Sequence, residues 1–333
     1  MTQRKLATIS RPAPISRPAP AARPILKWAG GKGQLLERLS AYFPKALADG
    51  TVQNYFEPFL GGGAMFFHVM QNYPLKSALL MDVNEELILL YKVVQRDVEP
   101  LVAVLVQLER EYLKLPEAKR KERFLRVRGT LNEARAGIDF RKYSTAWVER
   151  ASQILFLNKT CYNGLFRVNR NGGFNVPFGK YVKPTIADVS NLRAASVLFA
   201  KARILLGDFG DLARPDAASK GAGLIKPGSF IYYDPPYRPL SRTASFTSYS
   251  RFAFGDVEQQ RLAKMFQDLD RRGVYQMLSN SDPKNSDPKD DFFEELYSSY
   301  KDTFYRVPAS RSINSDPSRR GRINEIVITN YKS

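Results

Sequence analysis

The segment that ends in Tyr237 carries the most specific chemical signal in the sequence. Apolar and aromatic residues at 230–233 predict a buried strand, which ends on the carboxylate of Asp234. Pro235 and Pro236 follow and cannot continue a ladder of backbone hydrogen bonds. Because ligands of open α/β sheets bind beyond the carboxyl ends of the strands, we expect this segment at the mouth of a site. Its carboxylate and carbonyl oxygens accept N–H bonds and its tyrosine ring stacks, so the site suits a flat ring that bears an amino group. A strand followed by a proline-rich turn without chemistry is the alternative.

A glycine-rich turn earlier in the chain predicts a second ligand. The apolar segment 55–60 leads into glycines at 61–63, and the segment 78–81 predicts the next strand, which ends on Asp82. Glycines at a strand-to-helix turn let a nucleotide-like ligand lie against the backbone, and an acid at the end of the next strand binds ribose hydroxyls in dinucleotide folds. This spacing predicts a nucleoside-bearing cofactor. Gly-Gly-Lys at 30–32 lacks the spacing and the Lys-Ser/Thr pair of a phosphate loop, which argues against a phosphate-loop NTPase.

Residues 158–181 predict a β-hairpin after a buried helix over 151–157. Asn-Gly and Asn-Gly-Gly turns separate short alternating runs in this segment. It combines Asn, Arg, Tyr and Leu, which are residue types that read base edges, contact thymine methyl groups and wedge between stacked bases. A purely structural hairpin is the alternative, and composition does not separate the two.

The composition favours a polyanionic partner. The chain has 333 residues with 51 Lys and Arg against 33 Asp and Glu, a net charge of +18 that points to nucleic acid. A membrane surface is the rival partner, but no apolar run is long enough to span a bilayer. One cysteine, Cys161, excludes a disulfide framework and fits a reducing cytoplasm. One histidine, His68, argues against a His-based metal site or a Ser-His triad, so we expect a cytoplasmic protein that uses no metal.

The rest of the chain divides into an arm, a helical segment and further sheet elements. Residues 1–24 repeat a Pro- and Arg-rich unit and predict an extended, disordered arm. Residues 85–150 are helical by their period, and the basic run at 119–128 suits contact with phosphate. The remaining expected elements are strands at 202–206, 274–279, 305–307 and 325–330, a helix at 257–271, a polar-aromatic loop at 245–254 and a basic loop at 311–322.

A set of motifs occurs in one order along the chain. They are Lys-Trp-Ala-Gly-Gly-Lys at 27–32, Glu-Pro-Phe-Leu-Gly-Gly-Gly at 57–63, Met-Asp-Val-Asn at 81–84, Tyr-Asn-Gly-Leu-Phe-Arg at 162–167, Phe-Asn-Val-Pro-Phe-Gly at 174–179 and Asp-Pro-Pro-Tyr at 234–237. In this combination the sequence resembles the Dam-type (class alpha) N6-adenine DNA methyltransferases, from about residue 25 to about residue 330. Joint occurrence of these motifs by chance is very rare, so the resemblance is strong.

The resemblance implies an α/β fold with a Rossmann-like S-adenosylmethionine-dependent methyltransferase sheet. An inserted, mostly helical target-recognition domain would carry the hairpin. The catalytic, cofactor-binding domain would comprise residues 25–86 and 187–333, and the target-recognition domain residues 87–186. The resemblance also implies S-adenosylmethionine as the methyl donor and double-stranded DNA as the partner.

The resemblance assigns site residues position by position. The implied catalytic residues are Asp234, Pro235, Pro236 and Tyr237. The implied cofactor contacts are Trp28, Lys32, Phe59, Gly61, Gly63, Asp82 and Asp234. The implied DNA contacts are Lys27, at the position that contacts the first guanine, with Tyr162, Asn163, Leu165, Arg167 and Tyr181.

The implied reaction is methyl transfer to adenine N6, most directly within GATC, by base flipping and direct in-line transfer. One alternative is a longer site that contains GAT, read as part of a restriction-modification system with a cognate restriction endonuclease. An RNA or protein-glutamine methyltransferase is a second alternative, which the motif at 27–32 and the basic insertion with its hairpin argue against. A binding-only protein is a third, and the intact segment 234–237 argues against it.

Overall fold

The computed structural model describes residues 21–28, 30–33, 35–169, 172–212, 225–238, 254–310 and 322–332. Within these ranges the α-helices are α1 (Leu36–Ser40), α2 (Lys45–Ala48), α3 (Ala64–Asn72), α4 (Glu85–Arg96), α5 (Val98–Leu113), α6 (Glu117–Glu133), α7 (Trp147–Thr160), α8 (Val189–Phe199), α9 (Asp256–Asp270) and α10 (Phe292–Leu296). The strands there are β1 (Asn54–Glu57), β2 (Ser77–Asp82), β3 (Ala202–Leu206), β4 (Phe230–Tyr233), β5 (Tyr275–Ser281), β6 (Phe304–Ser310) and β7 (Arg322–Thr329).

The strands predicted after residue 200 and the helix predicted at 257–271 are confirmed, with bounds that differ by at most three residues. Three predicted segments lie wholly or mostly outside the described residues. They are the arm predicted over 1–24, of which 1–20 lie outside, the polar-aromatic loop at 245–254, of which 245–253 lie outside, and the basic loop at 311–322, of which 311–321 lie outside.

A seven-stranded sheet organises the fold, in the order β3-β2-β1-β4-β5-β7-β6. Strands β3, β2, β1, β4 and β5 are parallel, whereas β7 runs antiparallel to β5 and β6 antiparallel to β7. The strand order reverses between β1 and β4, and at such a switch point a crevice opens beyond the carboxyl ends of the strands. The predicted α/β class is confirmed, and the sheet is consistent with an S-adenosylmethionine-dependent methyltransferase fold.

Both faces of the sheet are covered, because successive residues of a strand point to opposite sides. Tyr55 and Tyr232 belong to a core with residues of α3, α4, α7 and α8. Phe56 and Tyr233, their chain neighbours, belong to a second core with residues of α9 and α10. The central strands are therefore apolar on both sides, and polar groups concentrate just beyond the ends of these strands.

Helices α4 to α8 occupy the chain between β2 and β3, and a buried ion cluster joins two of them, α4 and α7. Helix α7 packs against α4, α5 and α6. Glu86 on α4 accepts hydrogen bonds at 2.7 Å from Arg150 Nε on α7 and at 2.7 Å from Arg135 Nη1. A buried carboxylate is stable only when it is paired, so Arg150 fixes α4 against α7 and Arg135 fixes it against the turn at 134–137 that follows α6. The domain limit predicted at residue 87 falls inside α4, which packs against β2 and β3 as well as α7.

The segment predicted as a hairpin begins with helix. Helix α7 ends at Thr160, so residues 158–160 are helical and the prediction of a hairpin start at these residues is wrong. Beyond them the chain reverses direction without forming a continuous strand in the described part of 161–181. The antiparallel pairing there consists of isolated bridges between Cys161 and Phe178 and between Val168 and Phe174.

Local backbone chemistry explains why this pairing stays short. Tyr162–Gly164 form a 3-10 turn in which Asn163 has a left-handed φ of 56°, which bends the chain out of strand geometry. Pro177 has no N–H to donate to a ladder, although its carbonyl accepts from Tyr162 N at 2.8 Å. The segment is therefore a chain reversal with two bridges, and the predicted β-hairpin is not confirmed.

The last residues of the predicted arm contact the folded chain. Ala22 is buried, and its N–H donates to Gln71 on α3 at 2.6 Å. Arg23 N–H donates to Asn191 on α8 at 2.9 Å, and the Arg23 guanidinium pairs with Asp188. The folded part of the chain therefore includes residues 22 and 23, which precede the predicted start at residue 25.

Candidate active site

Asp234 follows β4 directly and lies in the crevice where the strand order reverses. Strand β4 is buried along its whole length, with β1 and β5 paired to its two edges. The Asp234 side chain is 21 % exposed. Burial raises its pKa to about 6, although the Lys32 ammonium opposes the shift. This carboxyl group therefore changes charge between weakly acidic and neutral pH.

Lys32 is a buried cation beside Asp234. Its side chain is 4 % exposed, and its Nζ lies 3.0 Å from Asp234 Oδ1 and 3.1 Å from Glu325 Oε2. It also donates a 2.6 Å hydrogen bond to the Tyr237 hydroxyl. Burial favours the neutral amine, but Asp234, Tyr237 and Glu325 together raise the pKa of Lys32 well above its usual value. Lys32 is therefore an ammonium ion that joins both carboxylates and the tyrosine.

Tyr237 combines an anchored hydroxyl with an accessible ring. Its hydroxyl donates to Glu325 Oε1 at 2.7 Å, and 37 % of the residue is exposed. Burial raises the pKa of the hydroxyl, so it remains protonated. The next residue, Arg238, holds this part of the chain, because it bonds Asp256 and lies 4.1 Å over the Phe292 ring. The Tyr237 ring can therefore stack on a flat ligand while its position stays fixed.

The two prolines between Asp234 and Tyr237 differ in exposure. Pro235 is buried and Pro236 is exposed. The Pro236 carbonyl accepts a 3.4 Å hydrogen bond from the side-chain amide of Gln259, a fully buried residue on α9. The rigid Pro-Pro unit is thereby tied to the helix that follows it.

The glycine turn after β1 contacts the carboxylate at the end of β2. Gly61 has a left-handed φ of 46°, and its N–H donates to Asp82 Oδ2 at 2.9 Å. The Gly61 carbonyl accepts from the Tyr91 hydroxyl at 2.7 Å. Gly63, with φ 71°, ends the turn, and a Cβ at Gly61 would lie 3.0 Å from the Trp28 ring. The turn needs glycine both for its backbone conformation and for the approach of Trp28.

Asp82 and Phe59 are the other predicted cofactor contacts near the glycine turn. Asp82 Oδ1 accepts from Asn84 N at 2.8 Å, and burial raises the pKa of the Asp82 carboxyl despite its bonds to backbone N–H groups. The Phe59 ring packs at 5.2 Å from Phe209 and at 5.5 Å from Phe254. The structure thus brings the Asp82 carboxylate, the glycine turn and the Phe59 ring together at the ends of the neighbouring strands β1 and β2.

Lys27 and the turn at 162–164 lie side by side. Asn158 joins them, because its Nδ2 donates to Lys27 O at 3.0 Å and to Gly164 O at 2.8 Å. The Lys27 stem lies on Gly164, where a Cβ would stand 2.4 Å from Lys27 Cδ. Lys27 is exposed, and Tyr162 is 56 % exposed. The structure therefore brings Lys27, Tyr162 and Asn163, which we call the Lys27 surface, together at one place.

The other predicted DNA contacts extend from the Lys27 surface along the same segment. Leu165 and Arg167 are half-buried, and Arg167 Nε donates to Asn175 Oδ1 at 2.8 Å. Tyr181 lies at the far end of the segment, where a Cβ at Gly179 would be 2.7 Å from the Tyr181 ring. Arg167 is thus held by the segment itself and is less accessible than Tyr162.

Trp28 packs between the predicted cofactor contacts at the glycine turn and the segment that carries the predicted DNA contacts. On one side its ring lies against Gly61 and Gly62. On the other side it stacks on Phe166, with ring centroids 5.5 Å apart and an interplanar angle of 20°. The glycine turn and the segment that carries Tyr162 therefore share one packed contact.

Glu325 and Glu57 belong to the site, although neither is among the site residues predicted from the sequence. Glu325 is 4 % exposed and binds Lys32 and Tyr237. Glu57 is 2 % exposed and accepts from the Tyr55 hydroxyl at 2.7 Å, and burial raises its pKa well above the usual value. The available signal is an acid inside an apolar strand run, which in a soluble protein marks a paired group.

Comparison with known proteins identifies the family. Residues 28–313 match the family described as D12 class N6 adenine-specific DNA methyltransferase. The chain belongs to this family. The match confirms the resemblance to Dam-type enzymes and establishes the chain as an adenine-specific DNA methyltransferase.

Individual relatives cover nearly all of the methyltransferase. Type II methyltransferase M.MjaIII of Methanocaldococcus jannaschii is 43% identical over 307 residues, which are 92% of this chain and 98% of that protein. The DNA adenine methylase of Escherichia coli K12 is 33% identical over 303 residues, 91% of this chain and 93% of that protein. The DNA N-6-adenine-methyltransferase of Escherichia phage P1 is also 33% identical, over 91% of this chain but only 35% of its own length.

Two further findings concern only the part of the methyltransferase that the structure describes. No group of three or more His, Cys, Asp or Glu side chains there is arranged to hold a metal ion. No helix there is both long and apolar enough to cross a membrane.

Proposed function

We propose that this enzyme transfers a methyl group from S-adenosylmethionine to adenine N6 within GATC in double-stranded DNA, after flipping the target base. The observation that carries the proposal is the Asp234 carboxylate beside the exposed Tyr237 ring, at the switch point of the sheet. A stacked and paired adenine presents its amino group to its partner base, so the base must leave the duplex to react. The family supports adenine in DNA as the substrate.

The residues near the glycine turn fit S-adenosylmethionine. The Asp82 carboxylate suits ribose hydroxyls, and left-handed Gly61 and Gly63 let backbone approach the methionine part closely. Phe59 offers an apolar ring face, while Asp234 offers a carboxylate close to a positive sulfonium. Trp28 packs against the turn at Gly61 and Gly62, and Lys32 holds Asp234 in place. When bound there, the cofactor supplies an electrophilic methyl group.

Asp234, Pro235 and Tyr237 then act on the flipped adenine. The Tyr237 ring stacks on the base, and the Asp234 carboxylate and the Pro235 carbonyl accept the two N–H bonds of N6. These acceptors make the nitrogen more tetrahedral and stabilise the positive charge that develops on it. The N6 lone pair forms the new N–C bond, the C–S electrons stay on sulfur, and one N6 proton leaves through Asp234 to water. Holding adenine N6, the methyl carbon and the sulfur in one line accelerates the reaction further, because the reacting atoms are already positioned.

We propose residues 87–186 as the target-recognition domain, with the Lys27 surface facing the DNA. Exposed Lys27 suits a guanine edge, and the exposed Tyr162 ring suits insertion between bases. The further base contacts of the proposal are Leu165, Arg167 and Tyr181. The net charge of +18 supplies attraction to the phosphates.

A restriction-modification role is the second candidate, and one observation favours it. The relative with 43% identity is named a type II methyltransferase, and its match spans 98% of its length. In that role the same chemistry would act at GATC or at a longer site that contains GAT, beside a cognate restriction endonuclease.

Labelled S-adenosylmethionine and unmethylated plasmid test the proposal. We expect label on adenine N6, protection of every GATC against a restriction enzyme blocked by methylation, and loss of both with Asp234→Ala. Protection of only a subset of GAT-containing sites would keep the chemistry and replace GATC by a longer site. Absence of label on DNA, with the cofactor still bound, would contradict the proposal.

A further inference from the structure

Glu325 places a second buried carboxylate behind the Asp234–Tyr237 pair. It lies on β7, between β5 and β6, and is 4 % exposed. Its Oε1 accepts from the Tyr237 hydroxyl at 2.7 Å, and its Oε2 lies 3.1 Å from Lys32 Nζ. Burying a charged pair is often no more stable than an apolar replacement. A stability role therefore explains this residue poorly, whereas its two contacts both lead to the site.

Lys32 poses a chemical problem that Glu325 can solve. The reaction requires Asp234 to accept an N–H bond from adenine, yet an ammonium stands 3.0 Å from its Oδ1. An ammonium that neutralises a carboxylate makes it a weaker acceptor and a weaker stabiliser of positive charge on N6. A second carboxylate on the same ammonium draws part of that charge away from Asp234.

We propose that Glu325 is a positioning residue for methyl transfer, which shares the Lys32 ammonium with Asp234 and holds the Tyr237 hydroxyl. Asp234 thereby remains a strong acceptor, and the Tyr237 ring keeps the orientation that stacks on the base. This inference rests on the proposed function, because it assumes that the target adenine binds between Asp234 and Tyr237.

The charges around Asp234 agree with this role. The groups that interact with it, from every neighbouring element of the described chain, are Lys32, Tyr55, Glu57, Tyr232, Tyr237, Ser279 and Glu325. Lys32 is the cation of this set, and the negative charge of Glu325 raises the pKa of Asp234. Without the Glu325 charge, Asp234 would be the only carboxylate bound to the Lys32 ammonium. Asp234 would then ionise at lower pH and would be a weaker acceptor for the N–H bond of adenine.

The decisive variant is Glu325→Gln, which keeps the shape and removes the charge. We expect kcat to fall ~30-fold at neutral pH, with little change in the Kd of S-adenosylhomocysteine or in the KM for DNA. We also expect the acidic limb of the kcat profile to move down by about half a pH unit or more. Glu295→Gln, at an exposed acid on α10, is the matched control and should leave both the rate and the limb unchanged.

The double variant Lys32→Met/Glu325→Gln separates positioning from simple structural support. If the fall in kcat of Glu325→Gln arises because the Lys32 ammonium then pairs with Asp234 alone, removing the ammonium should restore part of kcat. It should also raise the pH of the acidic limb relative to Glu325→Gln. A structural role would make the two losses add. If Glu325→Gln fails to bind S-adenosylhomocysteine, Glu325→Asp replaces it, because the longer distance to Lys32 should still lower the limb.

Each outcome bears on the inference separately from the proposed function. All variants are compared with the wild type on the adenine substrate that the wild type methylates, so absence of wild-type activity refutes the proposed function. An unshifted limb in Glu325→Gln or Glu325→Asp, or additive losses in the double variant, refutes the role of Glu325 while methylation by the wild type stands.

Discussion

At the residue scale, the site is a balance of charges around one carboxylate. Asp234 and Glu325 share the Lys32 ammonium, so the fully formed cluster carries excess negative charge. The Tyr237 hydroxyl bonds to both Lys32 and Glu325, while its ring is partly exposed and lies 4.6 Å from the Lys32 Nζ. An excess of negative charge beside a stacking ring favours an aromatic amine that becomes positive as it reacts.

The first prediction concerns pH. Burial raises the pKa of Asp234 from 3.8 to about 6, so the neutral acid predominates below that pH and the carboxylate above it. Only the carboxylate can accept the N6 hydrogen without competing as a donor, so kcat/KM should rise through pH 6 and level off above pH 7. Initial rates between pH 5 and pH 9 measure this, after controls for DNA binding at each pH. A rate already at its plateau at pH 5 would refute an acceptor role for a carboxylate with this pKa.

The second prediction separates the ring of Tyr237 from its hydroxyl. Tyr237→Phe keeps stacking and loses the bonds to Lys32 and Glu325, so kcat should fall only about 10-fold. Tyr237→Ala also loses the ring, and about 100-fold or more should be lost because base stacking contributes ~1–3 kcal/mol. Single-turnover methylation gives the rates, and 2-aminopurine at the target position reports the flipped base. Equal losses in the two variants would contradict stacking.

At the element scale, glycines decide how closely the elements of the site approach. Gly61 lets the turn after β1 lie against Trp28, whose ring also stacks on Phe166. Gly164 has φ 65° and lies under the stem of Lys27. A Cβ at either glycine would force its neighbour to move, so these glycines allow the close contact of the turn at 61–63 with Trp28 and of Gly164 with Lys27.

The third prediction follows from Gly164. A Cβ at this position would stand 2.4 Å from Lys27 Cδ, and its φ of 65° is unfavourable for alanine. Gly164→Ala should therefore displace Lys27, weaken binding of a GATC duplex about 10-fold and lower the stability by ~1–2 kcal/mol. Fluorescence anisotropy and thermal melting measure the two effects.

Gly137→Ala is the control for this prediction, because nothing lies within 4 Å of a Cβ there. It should match the wild type in both measurements. S-adenosylhomocysteine binding by Gly164→Ala should also be unchanged, since the altered contact lies on the DNA side. DNA affinity equal to the wild type would show that Lys27 does not contribute to binding from this position.

At the scale of the whole molecule, the charge of the chain and the order of its strands act on different steps. The net charge of +18 attracts DNA irrespective of sequence, whereas we propose the crevice between β1 and β4 as the place of the chemistry. Helices α4 to α8 occupy the chain between β2 and β3, and the buried Glu86–Arg150 pair joins α4 to α7.

The fourth prediction concerns salt. If the excess positive charge contacts about six phosphates, the logarithm of DNA affinity should fall with the logarithm of salt concentration at a slope of about −5. Affinity for S-adenosylhomocysteine should change far less, because that ligand is held by short-range contacts. Titrations between about 50 and 300 mM salt measure both slopes. A DNA slope near zero would contradict phosphate contact as the source of affinity.

The sequence by itself determines the strands and the chemical types at their ends. Asp234 and Asp82 each follow a run of apolar residues, and such runs are local patterns that can be recognised without knowledge of the fold. Order of the motifs along the chain also determines the family, because shared ancestry preserves it. Both kinds of information lie in short stretches of sequence, so they can be read before any contact is known.

Only the tertiary structure decides which distant residues share a contact. Glu325 lies 293 positions from Lys32, and its role depends on β7 inserting beside β5 in the sheet. The place of the turn at 162–164 likewise depends on a distant contact, because Asn158 donates both to Gly164 O within the segment and to Lys27 O, 131 positions away. Local patterns specify backbone preferences, whereas the pairing of buried charges depends on the three-dimensional positions of elements that are far apart in the chain.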